Sequence, residues 1–139
     1  MDAQHARELA SVDALGQAEL VASGELTAVE LLDAAITRLD AARGLNAVVA
    51  DLFDRGRRQA AALDDSGALR TGEMGPLAGV PFLLKDLGAS LAGAPEVMGS
   101  RALRGYVPTE SSWVVERYLD AGLVAVSYTH LTLPTILLV

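Results

Sequence analysis

Twelve residues, Gly75-Pro-Leu-Ala-Gly-Val-Pro-Phe-Leu-Leu-Lys-Asp86, constrain this chain more than any others. They open with turn formers, pass through an apolar run over residues 80–84 and end in a charge pair, Lys85 and Asp86. A run that is apolar on both faces suits a strand covered by helices on each side, as in a mostly parallel sheet. The spacing therefore predicts a buried strand that delivers a cation at its tip. Pro81 fits only near the start of such a strand, because it has no N–H to give to a ladder.

Lys85 is the only lysine; the other ten basic residues are arginine. Arginine stays charged under essentially all conditions, whereas a desolvated lysine can lose its proton. The lysine reference pKa of about 10.4 can fall to roughly 7–8 on burial, where the amine serves as a general base. Two readings of the residue types stay open. Lys85 either snorkels from a strand end and pairs with Asp86 or another acid, or it carries proton-transfer chemistry.

Residues 75–86 resemble the Gly-Pro-Leu-x-Gly-x-Pro-x-x-x-Lys-Asp segment of the amidase signature family. The following Gly99-Ser100-Arg-Ala-Leu and Ser112-Trp-Val-Val-Glu-Arg-Tyr-Leu-Asp-Ala-Gly122 are similar to the segments that come next in that family. Three segments in the right order at compatible spacing make a specific match, covering roughly residues 9–126. The resemblance implies an α/β fold: the N-terminal part of a mixed, mostly parallel sheet flanked by helices, here incomplete. In that family the lysine of the Lys-Asp pair is the base of a Ser, cis-Ser, Lys triad, and the resemblance carries that catalytic role onto Lys85.

Composition narrows the remaining classes. At 139 residues, with 51% apolar and 4% aromatic content, the chain can bury a core built from Leu, Val and Ala. A net charge of −7 argues against nucleic acid or an anionic membrane as partner. With no cysteine there is no disulfide, thiolate metal site or Cys nucleophile. His5 and His130 are far apart and lack acidic partners at ligand spacing, so no metal and no cofactor are expected. Acidic residues replace the basic region of a signal peptide, and no apolar stretch reaches about 18 residues. A cytoplasmic location is the expectation.

Residues 8–65 read as helical and residues 75–126 as the start of the α/β core. Leu15, Ala18, Val21 and Ala22 recur at helical spacing before Ser23-Gly24. Thr27 and Glu30 make a capping box, with Leu26 and Leu31 placed as a hydrophobic staple. Leu31, Leu32, Ala35, Ile36 and Leu39 give one stripe, closed by Gly44. Asp54 is the expected cap of a helix reaching Leu63, whose Arg55, Arg57 and Arg58 lie among acids as a solvated mixed-charge face. Residues 66–73 read as a surface loop. Residues 87–99 read as a loop bordering the cleft, since open α/β sheets place their sites at strand C-terminal ends. Ser100 lacks a nucleophile's flanking glycines and is expected to open a short helix. Thr109 is the expected cap of the next helix, with Glu110 in its first turn and Val114, Val115, Tyr118 and Leu119 facing inward; residues 123–126 follow as a parallel strand.

From Ser127 the composition changes. All 29 charged residues and all 24 alanines precede it. The family continues after this strand with Gly, Lys or Arg, then Thr-Asn, and nothing of that kind follows here. Residues 127–139 read as a non-family tail resembling translated sequencing adapter, β-prone and uncharged over 131–139.

The resemblance implies hydrolysis of a small-molecule carboxylic amide, without a cofactor, and admits a homodimer of the full-length enzyme. Amide hydrolysis needs a nucleophile, a proton route and oxyanion donors. Of these parts the chain holds Lys85 alone, so the chain by itself is expected to be inactive. Lys85-Asp86-Leu87 favours a stand-alone amidase over the A-type subunit of glutamyl-tRNA amidotransferase, which usually reads Lys-Asp-Asn. A noncatalytic helical interaction module built on the N-terminal helices is the other class.

Overall fold

The computed structural model describes residues 3–71 and 73–130. In order they form α1 (Ala3–Leu9), α2 (Ala14–Ser23), α3 (Ala28–Ala41), β1 (Val48–Asp51), α4 (Phe53–Ser66), α5 (Ala68–Thr71), β2 (Pro81–Lys85), α6 (Trp113–Asp120) and β3 (Val124–Thr129). The strands make a mixed sheet in the order β1-β3-β2, with β3 central, parallel to β2 and antiparallel to β1. No helix among the described residues is long and apolar enough to cross a membrane.

The N-terminal helices form as their caps dictate. The Thr27 hydroxyl accepts the Glu30 N–H and the Glu30 carboxylate accepts the Thr27 N–H. A second acid completes this end, because Asp64 from α4 accepts the N–H groups of Ala28 and Val29 at 2.8 and 3.1 Å. Thus one of the acids expected on a solvated face instead caps a neighbouring helix. Gly44 does not close α3: Ala42 is the C-cap, Gly44 lies in a 3-10 turn, and Asn46 takes the left-handed conformation beyond it. Nor does Asp54 cap α4; it sits in the first turn, and Leu52 is the cap because its N–H is committed to Val126 O at 2.9 Å. The polar stretch before β2 includes α5, whose Leu69 is buried.

β3 separates two apolar layers. Val124 and Val126 pack with Val21, Leu31, Leu32 and Ile36 of the N-terminal helices. Ala125 and Tyr128 pack on the other side with Leu84, Leu91, Ala94 and Val115. Side chains alternate along a strand, so Ala125 and Tyr128 share a face only because of a bulge. Phe82 stands opposite Ala125 and Leu83 opposite Ser127, leaving Val126 as the extra residue. The sheet strand therefore runs three residues past Val126, and Ser127 and Tyr128 are fully buried in it. The β-prone, uncharged stretch 131–139 lies outside the described residues.

The glycines of the 75–86 stretch bring β2 to β3. A Cβ on Gly75 would stand 2.5 Å from the Ala121 backbone, so only glycine permits that approach. Leu77 N–H then donates to Ala121 O at 3.0 Å and Gly79 N–H to Gly122 O at 2.9 Å. β2 begins at Pro81, the one strand position where a missing N–H is harmless.

Candidate active site

β2 is an edge strand, as expected of an incomplete sheet. Only β3 flanks it among the described residues, and Leu83 remains 43% exposed. Lys85 ends the strand, opposite Thr129 of β3, and is exposed. Its amine makes no hydrogen bond or ion pair with a described residue. Asp86 does not pair with it. The Asp86 carboxylate is buried and accepts the Val97 N–H at 3.0 Å, and the Asp86 N–H donates to Thr129 O at 3.0 Å. The Lys85–Asp86 pair that one of the two open readings allowed is not formed, because the acid is drawn inward to satisfy a backbone donor.

The loop after Lys85 is pinned at each turn. The Tyr128 hydroxyl, fully buried, donates to Ala89 O at 3.1 Å and accepts from Leu91 N–H at 3.0 Å. Burial pushes that hydroxyl above its ordinary pKa; the Leu91 hydrogen bond opposes the shift, and the Glu96 and Asp86 charges add to it. Arg55 Nη1 donates to Ala92 O at 2.7 Å, and Gly93 N–H donates to Pro108 O at 2.8 Å. Beside this network Glu96 is fully buried, with neither carboxylate oxygen partnered by a described residue.

Ser100 caps the 3-10 turn Arg101–Leu103, its hydroxyl accepting Ala102 N–H at 3.2 Å. It opens a short helix as expected. Thr109 does not stand at the N-cap of α6; Ser112 does, without a side-chain cap hydrogen bond, and Glu116 rather than Glu110 occupies the first turn. Ser111 and Ser112 are engaged across the fold, with Ala92 N–H donating to Ser111 Oγ and Ser112 N–H to Ser90 O. Val115 is buried, while Tyr118 meets Phe82 edge-on at 5.3 Å and stays partly exposed. Trp113 is 69% exposed, with the Arg117 guanidinium 5.2 Å from its ring.

A cleft of about 790 Å³ opens elsewhere, beside the start of α4, lined by Leu52, Arg55, Arg58 and Leu119 among others. Lys85 is not among its lining residues. Among the described residues no group of His, Asp and Glu could hold a metal ion. Sequence reasoning misses the Asp86–Val97 bond, the Tyr128 anchor and buried Glu96. Tyr128 falls in the stretch whose composition reads as a non-family tail, and Glu96 gives no periodic signal.

The amidase family model matches residues 30–136. The A-type subunit of the glutamyl-tRNA(Gln) amidotransferase of Rhodospirillum rubrum is 38% identical over 114 residues, 81% of this chain and 22% of that protein. The chain belongs to the amidase signature family. The 6-aminohexanoate-cyclic-dimer hydrolase of Paenarthrobacter ureafaciens is 36% identical over 121 residues, covering 85% of this chain and 22% of its own length. A crystal structure of a bacterial aryl acylamidase of the amidase signature family superposes with a TM-score of 0.76 at 32% identity, over 85% of this chain and 25% of that one. The chain thus spans about a fifth of the length of the curated relatives it matches. The α/β fold is that of the family's solved structures over this region.

Proposed function

We propose that this chain is the N-terminal portion of an amidase that hydrolyses a small-molecule carboxylic amide, with Lys85 as the terminal base of a Ser, cis-Ser, Lys relay. That portion runs through β3, and both serines lie in a Gly- and Ser-rich segment further along the complete enzyme. The supporting observation is the placement of Lys85. The only lysine ends the strand of the family's Lys-Asp segment, and its acidic neighbour is turned away from it.

In the complete enzyme the nucleophilic serine attacks the amide carbonyl while its proton passes through the second serine to Lys85. The leaving amine takes that proton back, and water then cleaves the acyl-enzyme by the same route. A lysine acts as a base when shielded from water, and in this chain Lys85 is exposed. The 139-residue chain alone is therefore inactive. Leu87 in place of Asn after the Lys-Asp pair favours a stand-alone hydrolase over an amidotransferase component. The enzyme acts in the cytoplasm and needs neither cofactor nor nucleic acid.

Assaying a small aryl amide tests this reading. No turnover is expected from the 139-residue chain, and Lys85-dependent turnover is expected from the complete enzyme. Turnover by the short chain that Lys85→Ala abolishes would contradict the assignment of the missing parts. Sequencing the genomic locus past codon 126 is the companion test, with a downstream Gly-Gly-Ser-Ser-Gly-Gly-type segment expected.

A further inference from the structure

The bond from Asp86 to Val97 does more than bury an acid. Asp86 is 3% exposed and ties three segments together: its N–H reaches Thr129 O on β3, its carboxylate holds Val97 N–H, and it follows Lys85 directly. The loop it holds is strained. Met98 and Gly99 have φ of 47° and 66°, and Ser100 N–H returns to Val97 O at 2.8 Å. Residues 97–100 thus make a tight turn with both central residues left-handed, a form that favours Asn-Gly or Gly-Gly. Methionine has no polar side chain to support that conformation. Such a residue persists where its surroundings over-determine it, and such strain clusters at functional sites. The Asp86 bond on Val97 and the Glu96 N–H bond to Tyr106 O at 3.2 Å are the adjoining restraints.

We infer that Asp86 is a positioning residue for the reaction: by gripping Val97 N–H while its own N–H holds Thr129 O, it ties the strand end that carries Lys85 to the strained 97–100 turn and so keeps Lys85 in place for the relay. This rests on the role proposed for Lys85. The alternative use of the acid, as a charge acting on the amine, is disfavoured because the carboxylate is committed to a backbone donor and makes no ion pair with Lys85.

Two variants separate these roles. Asp86→Ala removes the acceptor; Asp86→Asn removes the charge and keeps an acceptor oxygen. By amide hydrogen exchange on the 139-residue chain, Asp86→Ala should speed exchange at Val97 by about tenfold, the change expected for loss of one charge-assisted hydrogen bond. The Leu52 amide, bonded to Val126 O, is the internal control and should not move. Asp86→Asn should retain most of the Val97 protection. In the complete enzyme Asp86→Ala should lower kcat by at least about tenfold with little change in KM. Asp86→Asn should recover most of that loss with an unmoved pH–rate profile. Unchanged Val97 exchange in a folded Asp86→Ala chain overturns the inference. So does an Asp86→Asn enzyme as impaired as Asp86→Ala with a displaced pH profile. Turnover that survives Lys85→Ala would instead sink the proposed reaction, leaving the exchange result to stand by itself.

Discussion

Gly122 and Ala78 pass so closely that a Cβ on Gly122 would stand 2.5 Å from the Ala78 Cα. Gly122 also has a φ of +88°, a conformation costly to any L side chain. This contact seats the segment leading into β2 on the turn into β3, so it governs where Lys85 ends up. Gly122→Ala is expected to destabilise the chain by about 2–5 kcal/mol, combining left-handed strain with overpacking. Gly44→Ala is the control: nothing lies within 4 Å of its Cβ position, and a change within about 0.5 kcal/mol is expected. Urea unfolding of both variants measures the difference.

The capping box on α3 gives a pH signature. Hydrogen bonds from the Thr27 backbone and then its side chain hold the Glu30 carboxyl below its ordinary pKa. A depressed carboxylate contributes stability that is fully present above the unfolded value of about 4.3 and is lost as pH falls through the lower folded value. Thr27→Ala should cost about 1 kcal/mol at neutral pH. Glu30→Gln, which removes the titrating carboxyl, should flatten the acid limb of the stability curve, as followed by urea midpoints from neutral pH downward. An acid limb as steep as that of the unaltered chain would count against the box.

Leu32 is fully buried between α3 and the sheet and lies 3.4 Å from the Cβ position of Gly56. Leu32→Ala opens a cavity at the contact of α3 with α4 and should cost about 2–5 kcal/mol in urea unfolding. Gly56→Ala has little room either, with Ala125 O at 3.2 Å from the added carbon. It too should destabilise.

The edge that β2 leaves open among the described residues predicts association. Leu83 is 43% exposed on a strand with one described neighbour, the arrangement that recruits another strand. Sedimentation of the 139-residue chain should show concentration-dependent self-association, and Leu83→Lys should reduce it. A chain that stays monomeric at every concentration would show that the edge is already protected.

Much of this is legible in the sequence where the signal is local. The capping box at Thr27 and Glu30, the strand start at Pro81 and the lysine at its tip follow from residue chemistry within one element. The misplaced caps have a tertiary cause. Thr109, Ser111 and Ser112 all offer cap chemistry, and Ser112 takes the position because Ala92 and Ser90 engage Ser111 and the Ser112 backbone across the loop. Asp54 loses the cap position of α4 because Leu52 is held by β3. The antiparallel pairing of β1 with β3 and the inward turn of Asp86 depend on contacts far apart in sequence, which periodicity does not encode. The apolar run of β2 describes a strand fit for burial; its open edge follows only from the incompleteness of the sheet that the family resemblance implies.

The most direct measurement of the central claim is kcat of the complete enzyme carrying Lys85→Arg, on a small aryl amide. Arginine keeps the positive charge and much of the length but does not release a proton. A loss of at least about 100-fold is expected, the scale of a missing general base, matching that of Lys85→Ala. Turnover within a few-fold of the unaltered enzyme would show that Lys85 supplies charge rather than proton transfer, and would contradict the proposed relay.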